Sequence, residues 1–413
     1  MIIKISMLLM LIITIIVAAI FLPHFYWMAF DVNITTPRVC YSPVTNGFIL
    51  SKIDFNGNIP SLSYYDTKGT TYTREKFEQL LPITNYRQLT SIGKMPDSLR
   101  GIKIDLQEVR INQFYMRIRP KYLDTPQIQL YPLFESQSGR IGLEMPKDFF
   151  RINEKMEFIN TFTNKINEEL TGLFTSELKS KGFDFPAKLI AGNPTTRKPF
   201  DEGYFILDAA DNLFHIKMVK GKPFCVNTNI PQNLKIKKIV IREQNLKELY
   251  GLIISEDNNL FIITYDNYSL IKLPIANYKA NLTNLSIRGN LFFRTFNLTT
   301  PSGLTTIVTD RDYKAVDKYK ESWKSKYERS AGIISDYLFP FTIQLTDRKS
   351  SYVNFYIHCS NFSCLAGILF FLTLTLLMLW YRKKEIAKNW FNLLIVLISG
   401  IYGFIAILIF DKN

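Results

Sequence analysis

Three runs without a charged side chain stand out from an otherwise mixed chain: Ile5–Phe30, about Cys364–Tyr381 and Asn389–Phe410. A bilayer core takes roughly 20 apolar residues in a helix, so each run is predicted to be a transmembrane helix. The competing reading is a buried core helix, but such helices usually keep a polar face. The first run also competes with a cleavable signal peptide. Its apolar stretch exceeds the roughly 7–15 residues of a signal core, and Ala18 and Ala19 do not form an A-x-A site. Pro23 is followed by Phe25, Tyr26 and Trp27, which resemble the aromatic belt of a membrane interface. An uncleaved anchor is therefore expected.

Between the first and second runs the pattern changes period. Residues 31–200 mix helix and strand. Thr73–Leu81 begins on a capping residue and stops before Pro82, as a short helix does. Ile102–Ile118 alternates and suggests a strand pair. Met156, Ile159, Phe162, Ile166, Leu170, Phe174 and Leu178 recur at spacings of three and four, predicting one helix over Asn153–Lys181 that ends at Gly182. Residues 201–318 are strand-rich. Tyr204–Asp208 leads through a turn to Asp211–Ile216, and Tyr250–Ile254 leads likewise to Asp257–Ile262. A third pair, Leu291–Phe296 and Leu304–Thr309, flanks Pro301-Ser302-Gly303. Each unit reads as a hairpin. The spacing resembles propeller blades, but three units are few for a propeller, so an antiparallel meander is preferred to a propeller-like arrangement. Phe48–Phe55 adds a strand. Lys318–Leu338 reads as a helix, and Phe341–Leu345 with Val353–Ile357 as a last hairpin within residues 319–362. The expected fold is thus an α+β extracytoplasmic domain with a strand-rich part, plus three transmembrane helices: an anchor at 1–30 and a pair within 363–413.

Orientation follows from Arg382-Lys383-Lys384-Glu385-Ile386-Ala387-Lys388, whose four basic residues in a short loop are expected to stay cytoplasmic. Alternation then puts Lys4 inside, with residues 24–362 and the tail Asp411-Lys412-Asn413 outside. A cytoplasmic (inner) membrane location with a large extracytoplasmic, periplasmic domain results. Of the formal net charge of +14, about +10 falls on the outer segment. That favours anionic partners, membrane lipid among them, although a Lys-rich solvated surface is a simpler account than a specific anion site. The compartment argues against nucleic acid.

Few residues suggest chemistry. Cys40, Cys225, Cys359 and Cys364 are too few for a disulfide scaffold. Spacing cannot decide whether Cys40 and Cys225 pair, and no paired Cys-x-x-Cys suggests zinc. His24, His215 and His358 lack partners at metal or triad spacing. Neither a Gly-x-Ser-x-Gly elbow nor a phosphate-cradling loop is present, so no catalytic residue, metal or cofactor is assigned and an enzyme is not expected. The sequons at Asn33, Asn267, Asn281, Asn284, Asn297 and Asn361 are about as frequent as chance gives. Phe185–Tyr204 is the most distinctive stretch. Its prolines and glycines fix a path that ends in Arg197, Lys198, Asp201 and Glu202. These four are the candidate binding residues for an anion or a partner, against a rigid linker with solvated charges. In the third apolar run, Ser399 and Gly403 have small-xxx-small spacing and Gly400 lies near them, which makes these three candidate helix-packing residues.

Phe185–Tyr204, together with Met95-Pro96-Asp97-Ser98 and Leu130–Arg140, resembles an uncharacterised family of bacterial envelope membrane proteins. That family carries a domain of unknown function and is encoded near ABC-transporter components. The resemblance implies a binding or accessory subunit of an ABC-type complex, with permease or ATPase subunits as partners. It implies no catalytic residues. The alternatives are a free-standing envelope sensor or structural protein, and an extracytoplasmic enzyme without a recognisable motif.

Overall fold

The computed structural model describes residues 2–31, 34–56 and 59–410. Two compact units result. A β-rich unit comprises residues 37–300 and 304–320, and a helical unit comprises residues up to 36, 301–303 and those from 321 on. Asn33 and the tail Asp411-Lys412-Asn413 lie outside the described residues.

The β-rich unit is built on three successive antiparallel meanders. The first runs through Leu189–Gly192, Tyr204–Leu207, Leu213–Val219 and Lys222–Asn227. The second uses Ile236–Ile241, Leu249–Ser255, Leu260–Thr264 and Leu270–Lys272. The third uses Asn284–Gly289, Arg294–Thr300, Gly303–Thr309 and Ala315–Ser322, and gains Phe114–Ile118 as a fifth strand at one edge. The hairpins expected from alternation form, with Phe205 opposite His215 and Ile254 opposite Leu260. Their turns use left-handed Asp211 and Asn258 (φ 66° and 60°), residue types that tolerate that region. The meander reading therefore holds, and no propeller is found. Residue 200 falls inside the first meander, between two paired strands. Phe48 lies in the strand Gly47–Asn56, and Thr73 caps its helix by accepting from the Lys76 amide.

Three local expectations fail, each for an identifiable reason. Ile102–Ile118 is not a strand pair. Asp105 accepts from the Gln107 amide at 2.9 Å and starts the helix Leu106–Ile111, which leaves only Phe114–Ile118 as a full strand. The long helix over Asn153–Lys181 shortens to Glu168–Ser180. Its first half holds the strand Met156–Asn160, paired with Asp148–Ile152 just before it, and Met156 and Phe158 are buried at period two. The Asn160 carboxamide then accepts from the Phe162 and Thr163 amides and turns the chain out, leaving Phe162 81% exposed. Asn167 caps the true helix by accepting from the Leu170 amide. Finally, Lys318 lies not in a helix but in Ala315–Ser322, an edge strand, and within the expected span only the short turn Lys326–Glu328 and Ser330–Leu338 are helical. The exposed Lys318 on that strand is a usual guard against edge-to-edge pairing. The last hairpin pairs Phe341–Gln344 with Tyr356–Cys359.

In the helical unit, two helices are long and apolar enough to cross a membrane: the apolar stretch Ile5–Phe30 of the first helix, and Cys364–Tyr381. The third run does not make a third such helix. It breaks into Trp390–Ser399 and Ile401–Phe410 at Gly400, whose φ of 55° and ψ of −126° suit only glycine. A Cβ on Gly403 would stand 2.9 Å from the Ile395 side chain and 2.4 Å from Ser399 Oγ. In a continuous helix, residues eight apart are ~12 Å apart along the axis, so the run folds back on itself as a helical hairpin. Ser399 and Gly403 thus meet where the two halves of this run join, while Gly400 faces Pro340 and Ile368. The first helix contributes Ala18 and Ala19, buried with Phe339 and Tyr402.

Candidate functional site

The proline-rich segment after Ala191 carries Lys198 into the interior. Its ammonium lies 2.5 Å from Asp201 Oδ1 and 2.7 Å from Glu243 Oε1, and it donates to the Asn193 carbonyl at 2.8 Å. Asp201 also accepts from the Gly203 amide at 3.0 Å, and Glu243 from Asn193 Nδ2 at 2.7 Å. The ammonium sits 4.9 Å from the centroid of the Phe134 ring. Burial holds the Asp201 carboxyl above its usual range; Lys198 opposes this shift and Glu243 adds to it. Glu202, near the end of the same loop, pairs instead with Lys217 at 2.8 Å. Arg197 stays exposed. Of the four candidate residues, then, the structure brings Lys198 and Asp201 into one buried cluster and puts Glu202 in a neighbouring ion pair.

Glu243 belongs to the loop Arg242–Glu248 between the first two strands of the second meander. The far end of that loop is anchored as well. Glu248 accepts from Arg294 Nε at 2.8 Å and pairs with its Nη2, and it also accepts from the Tyr313 hydroxyl. Arg294 is wholly buried on the third meander. One loop therefore ties the second meander to the first through Lys198 and to the third through Arg294. Between its two anchors, Gln244 is buried with neither side-chain amide atom bonded.

His215 lies beside this cluster on the first meander, fully buried. Its Nε2 is 2.5 Å from the Glu202 carbonyl, which can only accept, so Nε2 carries the proton and Nδ1 accepts from the Tyr268 hydroxyl at 2.9 Å. The ring stacks on Phe205 at 4.5 Å. Burial pushes its pKa down to about 4, so the imidazole is neutral at pH 7. His24 is exposed on the first helix, and His358 lies 3.3 Å from Asp347. Cys40 and Cys225 are free thiols buried in separate apolar clusters, so they do not pair. Among the described residues, no group of three His, Cys, Asp or Glu side chains is placed to hold a metal ion.

A different feature escaped sequence reasoning altogether. Where the edge strands of the three meanders meet, a cleft of about 190 Å³ is lined by Arg117, Ile118, Tyr122, Leu123, Gly192 and the Lys238–Ile241 strand. Lys238 and Val240, two apart in a regularly paired stretch that follows a register shift at Ile236, lie on the same face by alternation. Burial depresses the pKa of the Lys238 ammonium. No carboxylate lines this cleft. Only the lysine run Lys235-Ile236-Lys237-Lys238 could have hinted at it, and such a run ordinarily marks a solvated face.

Residues 38–309 match a family described as a domain of unknown function (DUF4857). The chain belongs to that family. No curated protein matches the chain. The family domain takes in all the residues of the ion-pair loop, His215 and the cleft except Tyr313, while the membrane-length helices fall outside the matched residues.

Proposed function

We propose that the protein is a membrane-anchored, extracytoplasmic binding or accessory subunit of an ABC-type transport complex, in which the DUF4857 domain engages substrate or partner. The observation that carries the anchoring is the packing of the first helix. Ala19 is fully buried with Tyr402 and Phe339, and the Tyr26 hydroxyl donates to the Ala331 carbonyl at 2.7 Å. A leader removed after export would leave that apolar surface bare, whereas a retained anchor completes the helical unit. The basic loop Arg382–Lys388 supports a cytoplasmic position for that turn. The hairpin at Gly400 returns the last helix toward the same side, so the chain crosses the bilayer twice and dips into it once. The transport assignment draws on the family resemblance, which is associational support.

Single cysteines in the Arg382–Lys388 loop and at Phe410 are both expected to resist a membrane-impermeant thiol reagent on intact cells, while one at Arg311 labels. Labelling at Phe410 alone would restore a third crossing, and labelling in the loop would invert the orientation. For the assembly, the full chain purified in mild detergent is expected to bring down a permease and its nucleotide-binding subunit at fixed stoichiometry. Recovery of the chain by itself, from membranes in which those subunits are present, would favour the free-standing reading.

A further inference from the structure

Elsewhere in the β-rich unit, buried cations are paired. Lys198, Lys217 and Arg294 each meet a carboxylate within hydrogen-bonding distance. The cleft at the meander edges breaks this pattern. Among the described residues, no carboxylate lies within ion-pair distance of Arg117 or Lys238, and the nearby Arg119 buries an Nε without a hydrogen-bond partner. In the cleft itself Lys238 is half-buried and Arg117 exposed, with no carboxylate beside either; the orphaned Arg119 Nε, just outside the lining, is the costly arrangement. Two cations facing one cleft with no carboxylate in it leave that cleft open to an anion.

The walls indicate what that is. The cationic groups converge from two sheets, Arg117 from the edge strand of the third meander and Lys238 from that of the second. Ile118 is buried, Leu123 and Val240 pack on the same core cluster, and Tyr122 carries the Arg119 guanidinium 5.9 Å from its ring centroid. The cleft is thus charged at one part and apolar at the other. At ~30 Å³ per water it holds roughly six waters, which limits a ligand to a small molecule. Arginine and lysine together favour a doubly charged oxyanion, which guanidinium meets in fork geometry and ammonium as a point charge.

We propose that this cleft binds a small phosphate monoester with a short apolar substituent, its phosphoryl oxygens between Arg117 and Lys238 and its substituent against Tyr122, Leu123 and Val240. The inference concerns the β-rich unit alone and stands whether or not the transport reading does.

The test is calorimetric titration of the full chain, in uncharged detergent at low ionic strength, with phenyl phosphate as probe. Saturable binding at one site is expected, with inorganic phosphate at least about tenfold weaker because the apolar wall then contributes nothing. Lys238→Met and Arg117→Gln should each weaken phenyl phosphate at least about tenfold. Arg110→Gln, in a separate shallow depression beside Arg87, should leave it unchanged. Several results overturn the proposal: no saturable heat, equal affinity for inorganic phosphate, tighter binding of benzoate, or equal loss in the Arg110 variant. Should Lys238→Met fail to fold, the exposed Arg117→Gln decides alone, and undiminished binding there refutes the site.

Discussion

Replacing Lys198 by methionine isolates the buried ion-pair loop. The ammonium is held by carboxylates at 2.5 Å and 2.7 Å, and the side chains of Lys198, Asp201 and Glu243 are 3%, 0% and 1% exposed. Removing it leaves two carboxylates facing each other out of water. Breaking such a pair costs about 3–5 kcal/mol. An independent route gives a similar figure. The cheapest escape is for one carboxyl to take up a proton, and doing so at pH 7 from an ordinary carboxyl pKa of 3.8 costs about 4 kcal/mol at 1.36 kcal/mol per pH unit. The pH dependence follows from the sign. A carboxyl whose folded pKa is raised binds more protons folded than unfolded between those two pKa values, so stability falls as pH rises through that window. The deficit of Lys198→Met should therefore shrink by about 1.4 kcal/mol for each unit of acidification from pH 7 toward pH 4. The assay is the urea midpoint of the full chain in detergent, read by near-UV circular dichroism from pH 5 to 8. Adding Asp201→Asn and Glu243→Gln to the lysine variant should recover at least half of the loss, because no charge is then left buried. A wild-type midpoint for Lys198→Met at pH 7, or a deficit that does not change with pH, would overturn this account of the loop.

His215 sets a second pH dependence of opposite sign. Because its folded pKa is depressed to about 4 from 6.5, its contribution is present above pH 6.5 and is lost as pH falls toward 4. Between pH 7 and 5 this amounts to about 2 kcal/mol, and His215→Asn should flatten that part of the urea-midpoint profile. Arg294→Met leaves Glu248 without its guanidinium and should cost about 3–5 kcal/mol, measurable as loss of hydrogen-exchange protection in Arg294–Thr300. Gly400→Ala forces a side chain into a glycine-only conformation beside Pro340 and should destabilise the helical unit by about 1–3 kcal/mol, seen as a lower melting temperature in detergent while exchange in the three meanders is unchanged.

Much of this protein is written in local pattern. Apolar length marked Ile5–Phe30 and Cys364–Tyr381 as membrane-length helices, because a helix that long without charge needs no partner to be recognised. Alternation with Asp/Asn turns located the meander hairpins, since period two and left-handed turn residues are properties of a few consecutive residues. Where a short run satisfied two periods, as Met156 to Leu178 did, a single Asn160 side chain turning back on its own backbone decided the outcome. What the sequence could not determine lies between segments distant along the chain. Lys198 has the same spacing as a solvated loop lysine until Glu243, 45 residues on, arrives to neutralise it. Gly400 reads as one small residue in an apolar run until the Gly403–Ile395 contact turns the run into a hairpin. The cleft of Arg117 and Lys238 exists only because edge strands of separate sheets meet there. Burial and charge pairing are set by which surfaces are brought together, and that is fixed by packing rather than by local composition.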